Sequence, residues 1–111
     1  MDKIAGLIEI LAQNPTDAFA RYGLALAYDQ QGDTTRAIAE FTTLVAQHPD
    51  YTPGFQMAGQ ILLRTGDTTR ARDFLTRGLA AAQRTSNAHA ASEISGLLDE
   101  LPPEQLPSIH H

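Results

Sequence analysis

The sequence predicts an all-α fold in which antiparallel helical hairpins stack on one another. The first observation is an identical hexapeptide, Gly32 to Ala37, that returns 34 residues later as Gly66 to Ala71. Pro15 and Pro49 keep the same spacing outside the hexapeptide. The second observation is that the residues between these turns show helical apolar periodicity. Repetition at a period of roughly 20–50 residues is typical of stacked repeat proteins.

Length and composition narrow the class of protein. A chain of 111 residues predicts a single domain over residues 1–111. A net charge of −5 argues against a nucleic-acid scaffold, which usually carries a basic face. Without cysteine there is neither a disulfide framework nor a thiolate metal site. No apolar run has the length of a membrane span, and the N-terminus lacks a signal-peptide core. We therefore expect a soluble, cytoplasmic protein that binds neither nucleic acid nor membrane.

The first helix is predicted over residues 2–13. Its apolar residues recur at the spacing of one helical stripe: Ile4, Leu7, Ile8 and Leu11. Asn14-Pro15 ends this helix, because the residue before a proline is pushed out of helical geometry. Thr16 is the predicted N-cap of a second helix, which runs to about Gln31.

Gly32 ends the second helix, since glycine adopts the left-handed conformation without a Cβ penalty. Asp33 or Thr34 is the predicted N-cap of a third helix over residues 35–47, which His48-Pro49 ends. The apolar face of that helix consists of Ala37, Ile38, Phe41, Leu44 and Val45.

The second copy follows the same order. Asp50 or Thr52 is the predicted N-cap of a helix that runs to about Thr65, with Pro53 in its first turn. Gly66 ends it, and the next helix covers residues 69–84 with an apolar face of Ala71, Leu75 and Leu79. Gln83 stands where the periodic proline would end that helix, so it is expected to run further.

The last helix is predicted from Ser86 or Asn87 to about Leu101. Its apolar stripe consists of Ile94, Leu97, Leu98 and Leu101. Pro102-Pro103 ends it, and residues 104–111 are expected to form a frayed tail.

These residues resemble the tetratricopeptide repeat family, whose unit is a 34-residue hairpin of a helix A and a helix B. The first copy, 18–51, matches the family pattern at Leu24, Ala25, Tyr28, Gly32, Ala37, Phe41 and Pro49. The second copy, 52–85, matches it at Phe55, Ala58, Gly59, Leu62, Gly66, Ala71 and Leu75. Arg21 and Gln83 depart from the pattern, in place of a bulky residue and of the closing proline.

The resemblance implies a short right-handed superhelical stack of about six helices. Residues 1–17 resemble a lone helix B, because Ile4, Leu7 and Pro15 fall on Ile38, Phe41 and Pro49 when shifted by one repeat. Residues 86–101 resemble the terminal helix that seals such a stack, and 102–111 form the tail.

No catalytic arrangement is found, since the chain has no phosphate-binding loop, nucleophile elbow or zinc-binding helix motif. We therefore expect neither an enzyme nor a cofactor. His89 and Glu93 lie one helical turn apart, but a zinc site needs at least three protein ligands. They are interpreted as a solvated pair, and no metal is expected.

The resemblance places the functional surface on the concave face built from the A helices. The predicted partner-binding residues are Phe19, Tyr22, Leu26, Asp29, Gln56, Gln60, Leu63 and Arg64, with Pro53 beside them. This mixture of aromatic, apolar and amide side chains suits a protein or peptide partner. The alternative is that neighbouring helices bury Phe19, Tyr22 and Leu26.

Family members that bind acidic chaperone tails use cations and asparagines at five groove positions. This chain has Tyr22, Leu26, Met57, Asn87 and Ala91 at those positions. No cation is present there to pair with a carboxylate, so an acidic tail is not expected as the ligand. The stretch with Arg70, Arg72 and Arg77 is the next candidate surface.

An alternative function is self-association through the first helix, with Ile4, Ile8 and Leu11 in the contact. Ile8 corresponds to Thr42 and Thr76 in the other B helices, and no helix A precedes this helix within the chain. An isoleucine in a position that is otherwise polar predicts a covered face, and hence a weak homodimer.

Overall fold

The computed structural model describes residues 2–103 and folds them into six α-helices, as the all-α prediction requires. The helices are α1 (Lys3–Gln13), α2 (Ala18–Gln30), α3 (Thr34–Gln47), α4 (Thr52–Thr65), α5 (Thr68–Arg84) and α6 (Ala88–Asp99). The tail predicted over residues 104–111 lies outside the described residues. None of the helices within residues 2–103 is both long enough and apolar enough to cross a membrane.

Side-chain caps fix where most of the helices begin. The carboxylates of Asp17, Asp33 and Asp67 and the carboxamide of Asn87 each accept a hydrogen bond from the N–H three residues further on. The N-cap predicted at Thr16 is therefore wrong by one residue, because the Asp17 carboxylate caps α2 instead. A capping acceptor of this kind stabilises a helix by about 1 kcal/mol.

The start of α4 is the exception among the described caps. Tyr51 is its N-cap and gives no side-chain hydrogen bond, so the caps predicted at Asp50 and Thr52 are both wrong. Thr52 is instead the first helical residue and is buried. Pro53 in the first turn has no N–H, which reduces the number of donors that a cap would have to satisfy.

The helix ends follow the predicted turn residues. Gly32 and Gly66 both have positive φ angles, 79° and 86°, and allow the chain to reverse at the end of each A helix. The helix α5 has 17 residues against 14 in α3, in keeping with Gln83 in place of the closing proline. The helix α6 ends at Asp99 rather than at Leu101, and Leu101 is buried against Leu75 and Ile94 just beyond it.

Small residues bring the two helices of each hairpin close together. Ala25 and Ala37 in the hairpin α2–α3, and Ala58 and Ala71 in the hairpin α4–α5, have no exposed surface. A Cβ atom placed on Gly59 would lie 2.5 Å from Leu75 Cδ2 and Cγ. The two hairpins pack together around a central apolar cluster, with α1 added on α2 and α6 added on α5.

Gly59→Ala should lower the free energy of unfolding by about 1–3 kcal/mol, because Leu75 is fully buried and has no space into which to move. Gly96→Ala is the matched control, since a Cβ there meets nothing within 4 Å. That control should gain roughly 0.5–1 kcal/mol from helix propensity. Urea denaturation measures both, and equal stability of the two variants would contradict the close packing of α4 on α5.

Candidate functional site

The helices α2 and α4 enclose a shallow cavity of about 210 Å³ on one face of the stack. Tyr22 from α2 forms one wall. The opposite wall consists of residues from α4 at helical spacing: Pro53, Gln56, Met57 and Gln60. Residues three or four apart share a helix face, so the first two turns of α4 present all four side chains to the same space.

Tyr22 is held in place by an aromatic cluster beneath the cavity. Its ring meets Phe41 at a centroid distance of 5.9 Å and an interplanar angle of 73°. It meets Tyr51 at 5.8 Å and 61°. Edge-to-face pairs of this kind add to the stabilisation from buried area. Burial, with a smaller contribution from Tyr51, raises the pKa of Tyr22.

Two carboxamides give the cavity its polar character. Gln56 Nε2 donates a hydrogen bond to Glu93 Oε1 at 3.4 Å, which connects α4 to α6. Gln60 lines the same wall one helical turn further on. A carboxamide offers both donors and an acceptor, so this wall can bind either polar group of a peptide backbone.

His89 Nε2 lies 3.5 Å from Glu93 Oε1, one helical turn away on α6, and the His89 side chain is exposed. Within residues 2–103, no group of three or more histidine, aspartate or glutamate side chains converges to hold a metal ion. The pair therefore provides two ligands at most, one of which already contacts Gln56.

Asp29 and Arg64, both predicted to bind a partner, bind each other. Arg64 Nη2 lies 2.5 Å from Asp29 Oδ1, and the Asp29 side chain is only 18% exposed. This ion pair joins the C-terminal ends of α2 and α4. The two charges compensate each other, and neither residue lines the cavity, although the Arg64 side chain remains 60% exposed.

The arginines of residues 2–103 are all engaged. Besides Arg64, the ion pairs are Arg21–Glu40, Arg36–Asp33, Arg70–Asp67, Arg77–Asp73 and Arg84–Asp50. Arg72 donates to the carbonyl oxygen of Pro102. The predicted alternative surface around Arg70, Arg72 and Arg77 therefore carries guanidinium groups that already have acceptors.

The other predicted binding residues differ in exposure. Phe19 is 84% exposed at the start of α2, outside the lining of the cavity. Leu26 and Leu63 are half-buried against the central core, as the alternative interpretation of Leu26 expected. Met57 lines the cavity but is absent from the predicted set, although its position between Gln56 and Gln60 on one helix face indicated it.

The predicted self-association residues also differ in their exposure. Leu11 is buried and Ile4 half-buried in a cluster with Ala20 and Leu24 of α2, so Leu11 cannot contact a second chain. Ile8 is 47% exposed. Ile10, which was not in the predicted set, is exposed to the same extent, 48%.

Tyr22→Phe should reduce the loss of stability at alkaline pH. The folded pKa of Tyr22 is raised above its ordinary value of 10.0, so its contribution is complete below about pH 10 and is lost as the pH rises further. Thermal melts at about pH 8 and pH 11 should therefore differ less for Tyr22→Phe than for the wild type. Tyr28→Phe, outside the cluster under the cavity, is the control. If the difference in melting temperature were unchanged in Tyr22→Phe, the phenol of Tyr22 would be solvated rather than buried.

Comparison with known proteins agrees with this architecture. A family model of the tetratricopeptide repeat matches residues 7–58 and residues 30–93. A tetratricopeptide repeat-containing protein of Pseudomonas aeruginosa is 33% identical over 98 residues, which cover 88% of this chain and 93% of that protein.

Two solved structures share the fold. A tetratricopeptide repeat domain protein from Salinibacter ruber is 28% identical with a TM-score of 0.74, over 87% of this chain and 98% of that chain. A Bordetella parapertussis protein at 24% identity has a TM-score of 0.73, over 89% of this chain and 86% of that chain, and shows similarity of fold alone. The overlapping family matches reach from residue 7 to residue 93, and the chain therefore belongs to the tetratricopeptide repeat family, whose fold generally serves as a scaffold for protein–protein interaction.

Proposed function

We propose that the chain is a non-enzymatic module that binds an extended peptide segment of a protein partner across α2 and α4. The observation that carries this proposal is the cavity between Tyr22 and the first turns of α4. Members of this family are generally scaffolds without catalytic activity, which agrees with the absence of a catalytic motif in the sequence.

The size of the cavity favours a peptide over a free small molecule. Pockets that bury drug-sized ligands have volumes of roughly 300–1,000 Å³. A shallow space of about 210 Å³ is smaller and suits one apolar side chain of a longer segment. The ring of Tyr22 and the side chains of Pro53 and Met57 provide the apolar surface for it.

The carboxamides would hold the backbone on either side of that apolar residue. Gln60 and Gln56 lie one helical turn apart, about 6 Å along α4. Successive residues on one face of an extended chain are separated by a similar distance, about 6.5–7 Å. Two amides at this spacing match backbone groups that point in the same direction, as in other modes of peptide recognition.

The charged residues near the cavity restrict the charge of the partner segment. The arginines near the cavity are paired within the chain, whereas Glu93 is half-exposed at its border and receives only long contacts. An acidic segment would bring a carboxylate to a surface that lacks a free cation, at a cost in desolvation. The partner segment is therefore neutral or basic, with an aliphatic residue at its centre.

The test uses fluorescein-labelled peptides selected from a random display library and titrated by fluorescence anisotropy. Tyr22→Ala combined with Gln60→Ala should weaken binding at least about tenfold, which corresponds to about 1.4 kcal/mol. Gln83→Ala, at an exposed glutamine on α5, is the control and should leave the affinity unchanged. Circular dichroism verifies that each variant is folded.

The selected sequences provide a second criterion. They should be enriched in a central aliphatic residue and depleted in aspartate and glutamate. Undiminished affinity in the folded double variant, or selection of acidic peptides, would move the site away from the cavity.

A further inference from the structure

One stripe of α1 has no preceding helix packed against it in the described structure, although Leu7 at its edge contacts α2. We call Lys3, Gly6, Leu7 and Ile10 the open stripe. One repeat later the same positions are Ala37, Glu40, Phe41 and Leu44 of α3, and two repeats later they are Ala71, Phe74, Leu75 and Gly78 of α5. Their spacing of three and four residues places them on one helix face.

In α3 and α5 this stripe faces the A helix of the same repeat. Glu40 pairs with Arg21 of α2 at 2.7 Å. Leu75 lies over Gly59 of α4, and a Cβ atom at Gly78 would lie 2.7 Å from Phe55 Cβ of α4. Equivalents of Gly6, Leu7 and Ile10 thus contact the preceding helix in one repeat or the other, and Leu44 also lies against Gly54 of the following helix α4.

Residues of the open stripe are more exposed than their equivalents in α3 and α5. Ile10 is 48% exposed, whereas its equivalent Leu44 is fully buried. Leu7 is half-buried, whereas Phe41 and Leu75 are fully buried. The helix α2 packs against Leu11 and also against Leu7, whose Cδ2 would lie 3.6 Å from a Cβ atom on Gly23 of α2. The part of the stripe that lacks a contact is therefore the edge with Lys3 and Ile10, which are both exposed.

Ile8 belongs to a different face, although it is exposed to the same extent. Its equivalents, Thr42 and Thr76, are exposed in both complete repeats. The face that carries Ile8 is thus exposed in every copy of the repeat, so the exposure of Ile8 follows from its position in the repeat. The equivalents of Ile10, which are Leu44 and Gly78, are instead buried in both complete repeats, and this difference moves the predicted contact from Ile8 to Ile10.

The other end of the stack cannot supply the missing contact. The positions of α6 that would receive a B helix are Ser92, Glu93 and Gly96, which correspond to Ala58, Gly59 and Leu62 of α4. All three are exposed, and a glutamate takes the place of the closely packed glycine. Burial of that carboxylate against the open stripe of another copy would be unfavourable, which disfavours head-to-tail stacking.

We propose that the open stripe pairs with the open stripe of a second copy, with the two α1 helices antiparallel about a two-fold axis. A self-complementary contact of this type closes after two chains. With the axis beside Gly6 and Leu7, Gly6 allows the helices to approach closely, and Ile10 packs against the stem of Lys3 of the second copy.

Charges favour the antiparallel direction. Lys3 is an exposed cation in the first turn of α1, where the helix dipole disfavours it, and the last turn of α1 has no basic residue. Antiparallel pairing brings Lys3 beside Glu9 and the last-turn carbonyl groups of the other α1. Each copy thus places its Lys3 near the C-terminal end of the other α1, where that helix has no basic residue of its own.

The contact is short, so the dimer is weak. A helix of 11 residues is about 16 Å long, and its open stripe provides much less than the roughly 800 Å² per partner of a stable interface. Association should therefore depend on concentration. Sedimentation equilibrium of the full chain from about 10 µM to about 1 mM should show a monomer that converts to a dimer.

Ile10→Glu should weaken dimerisation at least about tenfold, because it places a carboxylate in the centre of the contact. Ile8→Glu is the matched control, with the same substitution at the same exposure on the same helix, and it should still dimerise. A wild type that stays monomeric at the highest concentration overturns the proposal. So does a dimer that Ile8→Glu dissociates and Ile10→Glu does not.

A charge exchange tests the direction of the pairing. Lys3→Glu and Glu9→Lys should each weaken the dimer about two- to fivefold, and the double variant should restore it. Both single changes improve the electrostatics of α1 itself, because they place a negative charge near its start or a positive charge nearer its end. A loss of dimer in the single variants therefore cannot be attributed to unfolding of α1, and a double variant that fails to recover overturns the antiparallel arrangement.

Discussion

The close approach of helix A to helix B within each hairpin is the constraint on which the rest of the structure depends. At Gly59 the backbone of α4 lies directly under Leu75, and alanines take the equivalent contacts in both hairpins. Only the smallest side chains allow two helix axes to come this close. The cavity lies between α2 and α4, and each of these helices packs closely on the B helix of its own repeat without that B helix lining the cavity.

The same repeat explains why the two ends of the stack differ. Every B helix carries an apolar stripe that needs an A helix of its own, and every A helix carries a face that receives a B helix. At the C-terminal end the receiving face of α6 is polar, with Glu93 in place of glycine. At the N-terminal end the stripe of α1 remains apolar, with Ile10 half-exposed. Within the described residues, one end of the stack is therefore polar, whereas the other retains apolar surface that is only partly buried.

The selectivity proposed for the candidate groove follows from the lack of unpaired arginines in the described residues. Arginine is the residue best suited to bind acidic peptides, because its guanidinium group pairs with a carboxylate through two hydrogen bonds. The arginines of residues 2–103 instead pair with acidic side chains or with a carbonyl oxygen of the same chain. What remains at the cavity is a tyrosine ring, apolar stems, carboxamides and one half-exposed carboxylate. The peptide-binding proposal therefore relies on shape and backbone hydrogen bonds, and it favours a neutral or basic segment.

By itself the sequence determined the six helices, the glycine turns at Gly32 and Gly66 and the family, because these depend on local spacing and on a repeat visible in the chain. The resemblance to the family, rather than periodicity alone, supplied Tyr22, Gln56 and Gln60 as candidate binding residues, and these three line the cavity. Only the tertiary structure decided that Met57 joins them, that Asp29 and Arg64 neutralise each other, and that Leu11 is buried whereas Ile10 is not. The physical reason is that exposure and pairing depend on which helix lies opposite, and no periodicity within a single helix contains that information.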